Sequence, residues 1–210
     1  MNRVELPNLE YFDVFDERKN RTLKGHDQEW YGSWRQRMSG CGPTTASNVL
    51  RYIAAGVPAQ WKKTDATDLM DQVWKHVTPG RGGVNSAAKL RSGMVSYAKL
   101  IGLNIQIETL DVPRKRDARP PLSELAGFVN GGLGAGLPVA FLNLHNGAER
   151  QLDKWHWVTV TGMDFEPDFS AAAVDIMDNC NLLRVDLGRW LQTTALGGGF
   201  VRFNFGSVQN

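Results

Sequence analysis

A cysteine stands at the mouth of an amphipathic helix in the run Ser39-Gly40-Cys41-Gly42-Pro43-Thr44-Thr45-Ala46-Ser47-Asn48-Val49-Leu50. Ala46, Val49, Leu50, Ile53 and Ala54 recur at i, i+3, i+4, i+7 and i+8, the spacing of one buried helix face. Gly56 and Pro58 are expected to end that helix. Gly40 and Gly42 permit a sharp entry, and the fixed φ of Pro43 suits a first helical turn. Cys41 is thereby set among unpaired N–H groups at the positive end of the helix dipole, which favour thiolate over thiol. A free cysteine is more commonly a small buried hydrophobe. The Gly-x-Gly-Pro surroundings favour a reactive thiol instead, since they bring backbone close to a ligand, provided that a base and an orienting group lie elsewhere in the chain.

Four histidines can supply the base. His26 and His76 sit in charged surroundings and read as surface residues, and His145 closes a strand at a turn. His156 opens the β run Trp155-His156-Trp157-Val158-Thr159-Val160-Thr161-Gly162. The strand that follows, Val174-Asp175-Ile176-Met177-Asp178-Asn179-Cys180, ends in an acid and an amide 22 residues beyond His156, a separation that suits adjacent antiparallel strands. Asp178 is the better partner for an imidazolium, and Asn179 is the alternative third member. Asp175 falls on the opposite face by the period of two.

Around this core of chemistry the chain is ordinary. Its 210 residues are 42% hydrophobic and 22% charged, enough for one domain with a substantial core. A net charge of +2 gives no electrostatic footprint for nucleic acid. Two cysteines, Cys41 and Cys180, are too few for a disulfide-built scaffold, although a bridge between them would silence Cys41. No signal-peptide core opens the chain and no run has the length of a membrane span, so a cytoplasmic address is the default, with a non-standard secretion route left open. The cysteines and histidines lack zinc-ligand spacing, and the glycines 131–136 do not follow a strand as a dinucleotide loop would, so neither a metal nor a cofactor is expected.

Tyr11–Phe15 reads as a short strand, and Asp65–Val77 and a stretch capped by Asn85 or Ser86 read as further helices. Leu103–Leu110 reads as a strand, and the basic loop Val112–Pro121 reads as solvated surface. Leu122–Val129 is a short helix that exits through the glycines 131–136. Strands then follow at Leu137–Leu144, Trp155–Met163, Ala172–Met177, Leu182–Leu187 and Phe200–Phe205. This is an α+β chain in which an N-terminal helical half packs on a C-terminal antiparallel sheet. The expected organisation is a single domain over 1–210, with an N-terminal extension at 1–33, a mainly helical half at 34–136 and a mainly β half at 137–205.

Cysteine at a helix start, histidine on a later strand and Asp or Asn on the next resembles the papain-like cysteine peptidases. The likeness is strongest to bacterial members that process double-glycine leader peptides and to the staphopain-like branch. It rests on Gln36 with Ser39-Gly40-Cys41-Gly42-Pro43-Thr44-Thr45, on His156-Trp157-Val158-Thr159-Val160-Thr161-Gly162 and on Asp178-Asn179. The resemblance implies a papain-like fold and a peptide or protein substrate. It also implies a Cys41-His156-Asp178 triad acting through a thioester. A glutamine shortly before the cysteine serves the oxyanion in that family, which makes Gln36 the candidate donor beside the Cys41 N–H. Gln36 lies five residues upstream, where the family's usual spacing is six, a position held here by Arg35. The same steps with an amine acceptor describe an acyltransferase or transglutaminase, and a catalytically inactive binding module of the same fold is the remaining alternative.

Overall fold

The computed structural model describes residues 1–54 and 61–205, so the expected helix stop at Gly56 and Pro58 lies outside the described residues. A strand β1 (Asn2–Glu5) opens the chain, followed by the hairpin β2 (Asp13–Asp16) and β3 (Arg21–Lys24). Two helices in succession, α1 (Trp34–Ser39) and α2 (Cys41–Ala54), carry the cysteine motif. The short β4 (Trp61–Lys62) precedes α3 (Lys63–Trp74) and α4 (Ala87–Leu100), then β5 (Ile105–Val112) and α5 (Leu122–Gly134). The chain ends in β6 (Val139–Asn143), β7 (His156–Phe165), β8 (Ala172–Asp178), β9 (Asn181–Asp186), α6 (Leu187–Thr193) and β10 (Gly198–Phe205).

The main sheet runs β5-β10-β6-β7-β8-β9, every pair antiparallel. β7 is its spine. Residues 156–160 of β7 pair with β6, and residues 162–165 pair with β1. The opening residues of the chain are therefore built into the same sheet as the C-terminal strands. β2, β3 and β4 form a separate small sheet.

Strand residues alternate between two cores, as the pleat requires. Val139, Phe141, Val158, Val160 and Phe200 pack on one face with α5 and α6. Ala140, Leu142, Trp157, Val201 and Phe203 pack on the other with α2 and α4. Apolar residues on both faces force helices onto both faces, because either one left bare would expose a continuous hydrophobic surface to water. The α+β arrangement is as expected, with α5 and α6 on the far face. Val49 and Leu90 are fully enclosed, and each such side chain contributes roughly 1.5–3 kcal/mol by burial.

Several local expectations change for identifiable reasons. Asp13–Asp16 is the strand near the N-terminus, while Leu9–Phe12 coils into a 3-10 turn that buries Phe12. The helix expected at Leu122–Val129 does not exit at its glycines but runs on to Gly134. Gly132 faces β6 so closely that an added Cβ would lie 2.5 Å from Val139 Cγ2, so the missing side chain serves helix-on-sheet packing. α6 carries no sequence signal beyond its cap, Asp186, whose carboxylate accepts from the Arg189 N–H. Within the basic loop, Arg119 is a clamp: its guanidinium donates to the carbonyls of Pro113, Arg114, Leu191 and Thr194.

Candidate active site

Cys41 is the first residue of α2 and is partly exposed. The first bond at the entry of α2 is from the Thr44 N–H to the Gly40 carbonyl, 2.9 Å. Pro43 has no N–H, so the Cys41 and Gly42 amides are the donors that helix geometry leaves unspent at this tip. Both cysteines are free, with no bridge between them. Cys180 is half-buried, donates toward the Gly25 carbonyl, and burial pushes its thiol up to about 12.

His156 begins β7, and its ring is nine-tenths enclosed. Its Nε2–H donates to Asp178 Oδ1 at 2.7 Å, and the ring is near enough to Cys41 for the two side chains to interact. With Nε2 committed to Asp178, Nδ1 is the ring nitrogen left without a bond to that carboxylate. Burial works against a charged ring, yet the hydrogen bond to Asp178 and the interaction with Cys41 outweigh it and raise the imidazole to about 10. The surroundings favour the charged form of the ring.

Three features hold this geometry. Thr159 pairs with Met177 across β7 and β8, which sets Asp178 at the strand end diagonal to His156. The next two residues, Asn179 and Cys180, both have positive φ (43° and 65°), the two-residue turn that matches strand twist in a tight hairpin. Asn179 Oδ1 accepts from the Gln28 N–H at 3.2 Å, so its side chain ties the turn to the N-terminal segment and Asp178 alone bonds His156. Trp155 has φ 57°, a conformation costly for a bulky residue; its carbonyl lies 3.8 Å from the Cys41 sulfur and its ring is largely exposed at the cleft.

Gln36 is not turned to the sulfur. The Ser33 N–H and hydroxyl donate to its Oε1 (3.3 and 2.8 Å), and its Nε2 donates to Asp71 Oδ1 at 3.1 Å. Gln36 is the third residue of a capping box at the start of α1, a local pairing only three residues in span that holds its carbonyl oxygen, while Asp71 takes one of its amide N–H groups. His26 is also corrected. Instead of lying at the surface it is 1% exposed, with Nδ1 2.8 Å from Asn48 Oδ1 and Nε2 without a partner. His76 reaches Ser96, and His145 accepts from the Gly147 N–H. Asp175 pairs with Arg3 and Arg184, away from His156, as the strand period required.

Cys41 opens onto a cavity of about 320 Å³ walled by the loop Arg81–Asn85 and by Leu142, Leu144 and Trp155. The loop is pinned from beneath, where the buried Trp157 indole N–H donates to the Val84 carbonyl at 2.5 Å. Sequence reasoning had no signal for this wall, because Thr78–Gly83 reads only as a helix break and its position depends on a contact 73 residues away.

No family model matches the chain, and no curated protein matches it in sequence. Among solved structures, UfSP from C. elegans superposes with a TM-score of 0.56 at 10% identity, covering 98% of this chain and 35% of that one. The chain thus spans about a third of the length of that neighbour. The likeness is one of fold, and that fold is the α+β papain-like arrangement. Among the described residues, no helix is long and apolar enough to cross a membrane.

Proposed function

We propose that the protein is a papain-like cysteine peptidase or amide hydrolase. One observation carries the reading: a partly exposed sulfur at a helix tip, an imidazole near it, and a carboxylate 2.7 Å behind that imidazole, all beside an open cavity. The fold shared with UfSP is compatible with it. The order of the three residues along the chain also agrees with the resemblance to papain-like peptidases, including the double-glycine leader-processing and staphopain-like branches.

In this reading the Cys41 thiolate attacks a substrate carbonyl carbon, forming the C–S bond as the carbonyl π electrons move onto oxygen. The Cys41 and Gly42 N–H groups, with the dipole of α2 behind them, meet the developing oxyanion. Imidazolium His156 gives its Nδ1 proton to the departing amine as the C–N bond breaks and a thioester remains. Neutral His156 then takes a proton from water, which attacks the thioester and returns the Cys41 thiolate as the acyl product leaves. Asp178 keeps the ring oriented and stabilises its charged form throughout.

The test is active-site acylation. A position-scanned peptide mixture with a fluorogenic leaving amine should be cleaved by the parent, while Cys41→Ser and His156→Ala fall by at least ~10³-fold. Intact-mass spectrometry of a quenched reaction should find the acyl group on the Cys41 peptide, and added amines against water identify the acceptor. Unchanged turnover in Cys41→Ser would end the assignment.

A further inference from the structure

The cavity beside Cys41 is lined by both apolar and polar side chains. Val84, Leu142 and Leu144 give it an aliphatic floor, and Asn85, Arg81 and Ser39, whose hydroxyl donates to the Arg35 carbonyl, supply the polar part of its wall. The orientation of the Asn85 amide follows from its neighbour: Lys89 Nζ, which can only donate, lies 2.6 Å from Asn85 Oδ1. Asn85 Nδ2 is therefore the end that remains, and it is directed to the loop wall, where a Cβ added to Gly82 would lie 3.1 Å from it. Among the described residues nothing accepts its N–H groups, and no aspartate or glutamate lines the cavity. An unspent pair of donors and a guanidinium on an aliphatic floor form a receptor for a side chain with an apolar stem and an acceptor head.

Building on the peptidase reading, we propose that this cavity selects substrates carrying a glutamate, and next a glutamine, close to the scissile carbonyl. The two methylenes of such a side chain lie along Leu142 and Leu144, and its head accepts from Asn85 Nδ2–H. Arg81 adds charge attraction for the carboxylate and repels lysine or arginine. A leucine fills the same floor but leaves the Asn85 donors desolvated without an acceptor, and that penalty is what makes a polar-lined site discriminate.

The experiment uses dipeptidyl chloromethyl ketones carrying Glu, Gln, Leu or Lys at each of the two positions nearest the reactive carbon, with labelling of Cys41 followed by mass. At one of the two positions the order Glu > Gln > Leu > Lys is expected, with Glu at least ~10-fold faster than Leu, the discrimination expected of a desolvated donor pair. In Asn85→Leu the Glu-to-Leu ratio should collapse to near one. In Asn85→Asp, a second variant that keeps size and the Lys89 contact, the ratio should fall below one and the Lys reagent should gain. A parent ratio near one at both positions, or a ratio that Asn85→Leu and Asn85→Asp leave unchanged, overturns the proposal. If Cys41 reacts with none of the reagents, the peptidase reading fails by itself. The cavity is then measured by calorimetry on Cys41→Ala with Glu- and Leu-containing tetrapeptides, where equal affinity, or no binding, overturns the selectivity.

Discussion

Replacing Asp178 by Asn removes one negative charge from behind His156 while keeping the size of the side chain. The 2.7 Å bond is between groups that are each about nine-tenths enclosed, so solvent screens it little. A charge-assisted bond of this kind favours imidazolium over imidazole by about 2 kcal/mol, which is roughly a thirtyfold change in the ring's proton affinity. The parent His156, followed by NMR, should titrate near pH 10. In Asp178→Asn the midpoint should drop by about 1.5 pH, the same thirtyfold. Because the ring is raised above its unfolded value, the stability it contributes is full below pH 6.5 and is lost as pH rises through about 10. The variant should show a smaller loss over that window. Alkylation of Cys41 by iodoacetamide should slow in the variant. Cys180, whose thiol burial pushes up to about 12, serves as the slow internal control in peptide mapping. A variant midpoint within about 0.3 pH of the parent, less than a twofold change in proton affinity, would refute the claim that Asp178 charges and orients this imidazole.

Three further outcomes test other parts of the structure. His26 is held neutral down to about pH 4, by burial first and by the charge of Arg51, against the bond to Asn48. The unfolded chain takes up a proton below pH 6.5, so stability should fall by up to about 3 kcal/mol between pH 6.5 and 4; in His26→Gln that part of the pH dependence should vanish in denaturant titrations, and an unaltered slope contradicts the burial. Gln36→Ala should lose about 1 kcal/mol of stability with the capping box and keep activity within about threefold; a hundredfold loss, the size typical of an oxyanion donor, would restore Gln36 to that role. Gly42→Ala should cost about 1–3 kcal/mol by overpacking, since its Cβ would lie 2.8 Å from Val84 Cβ and Cγ2; a melting temperature equal to the parent's would show that the loop wall yields freely.

Much of the site is legible in the sequence because its signals are local. Apolar spacing places Cys41 at the tip of α2, and the pattern of β7 and β8, with 22 residues between His156 and Asp178, makes their meeting a matter of one hairpin register. The role of Gln36 is not legible in the sequence, for the opposite reason. Its distance from Cys41 along the chain is suggestive, but Ser33 and Asp71 compete for the same amide, and only the folded neighbourhood decides which partner wins. His26 looked like a loop residue among charges, and its burial depends on Asn48 of α2 closing over it from 22 residues away.

By itself, the sequence determines the elements whose faces must be hidden from water and the chemistry of a cysteine at a helix start, since periodicity and the helix dipole act within a few residues. Only the tertiary structure decides which polar groups spend their hydrogen bonds on one another and which are left for a substrate. Trp157 fastens the Arg81–Asn85 wall beside the sulfur, and Lys89 takes the Asn85 carbonyl and leaves its NH2 group at the wall. Such pairings depend on contacts between distant segments, and the free energy of one hydrogen bond is too small to be read from residue order when several partners are within reach.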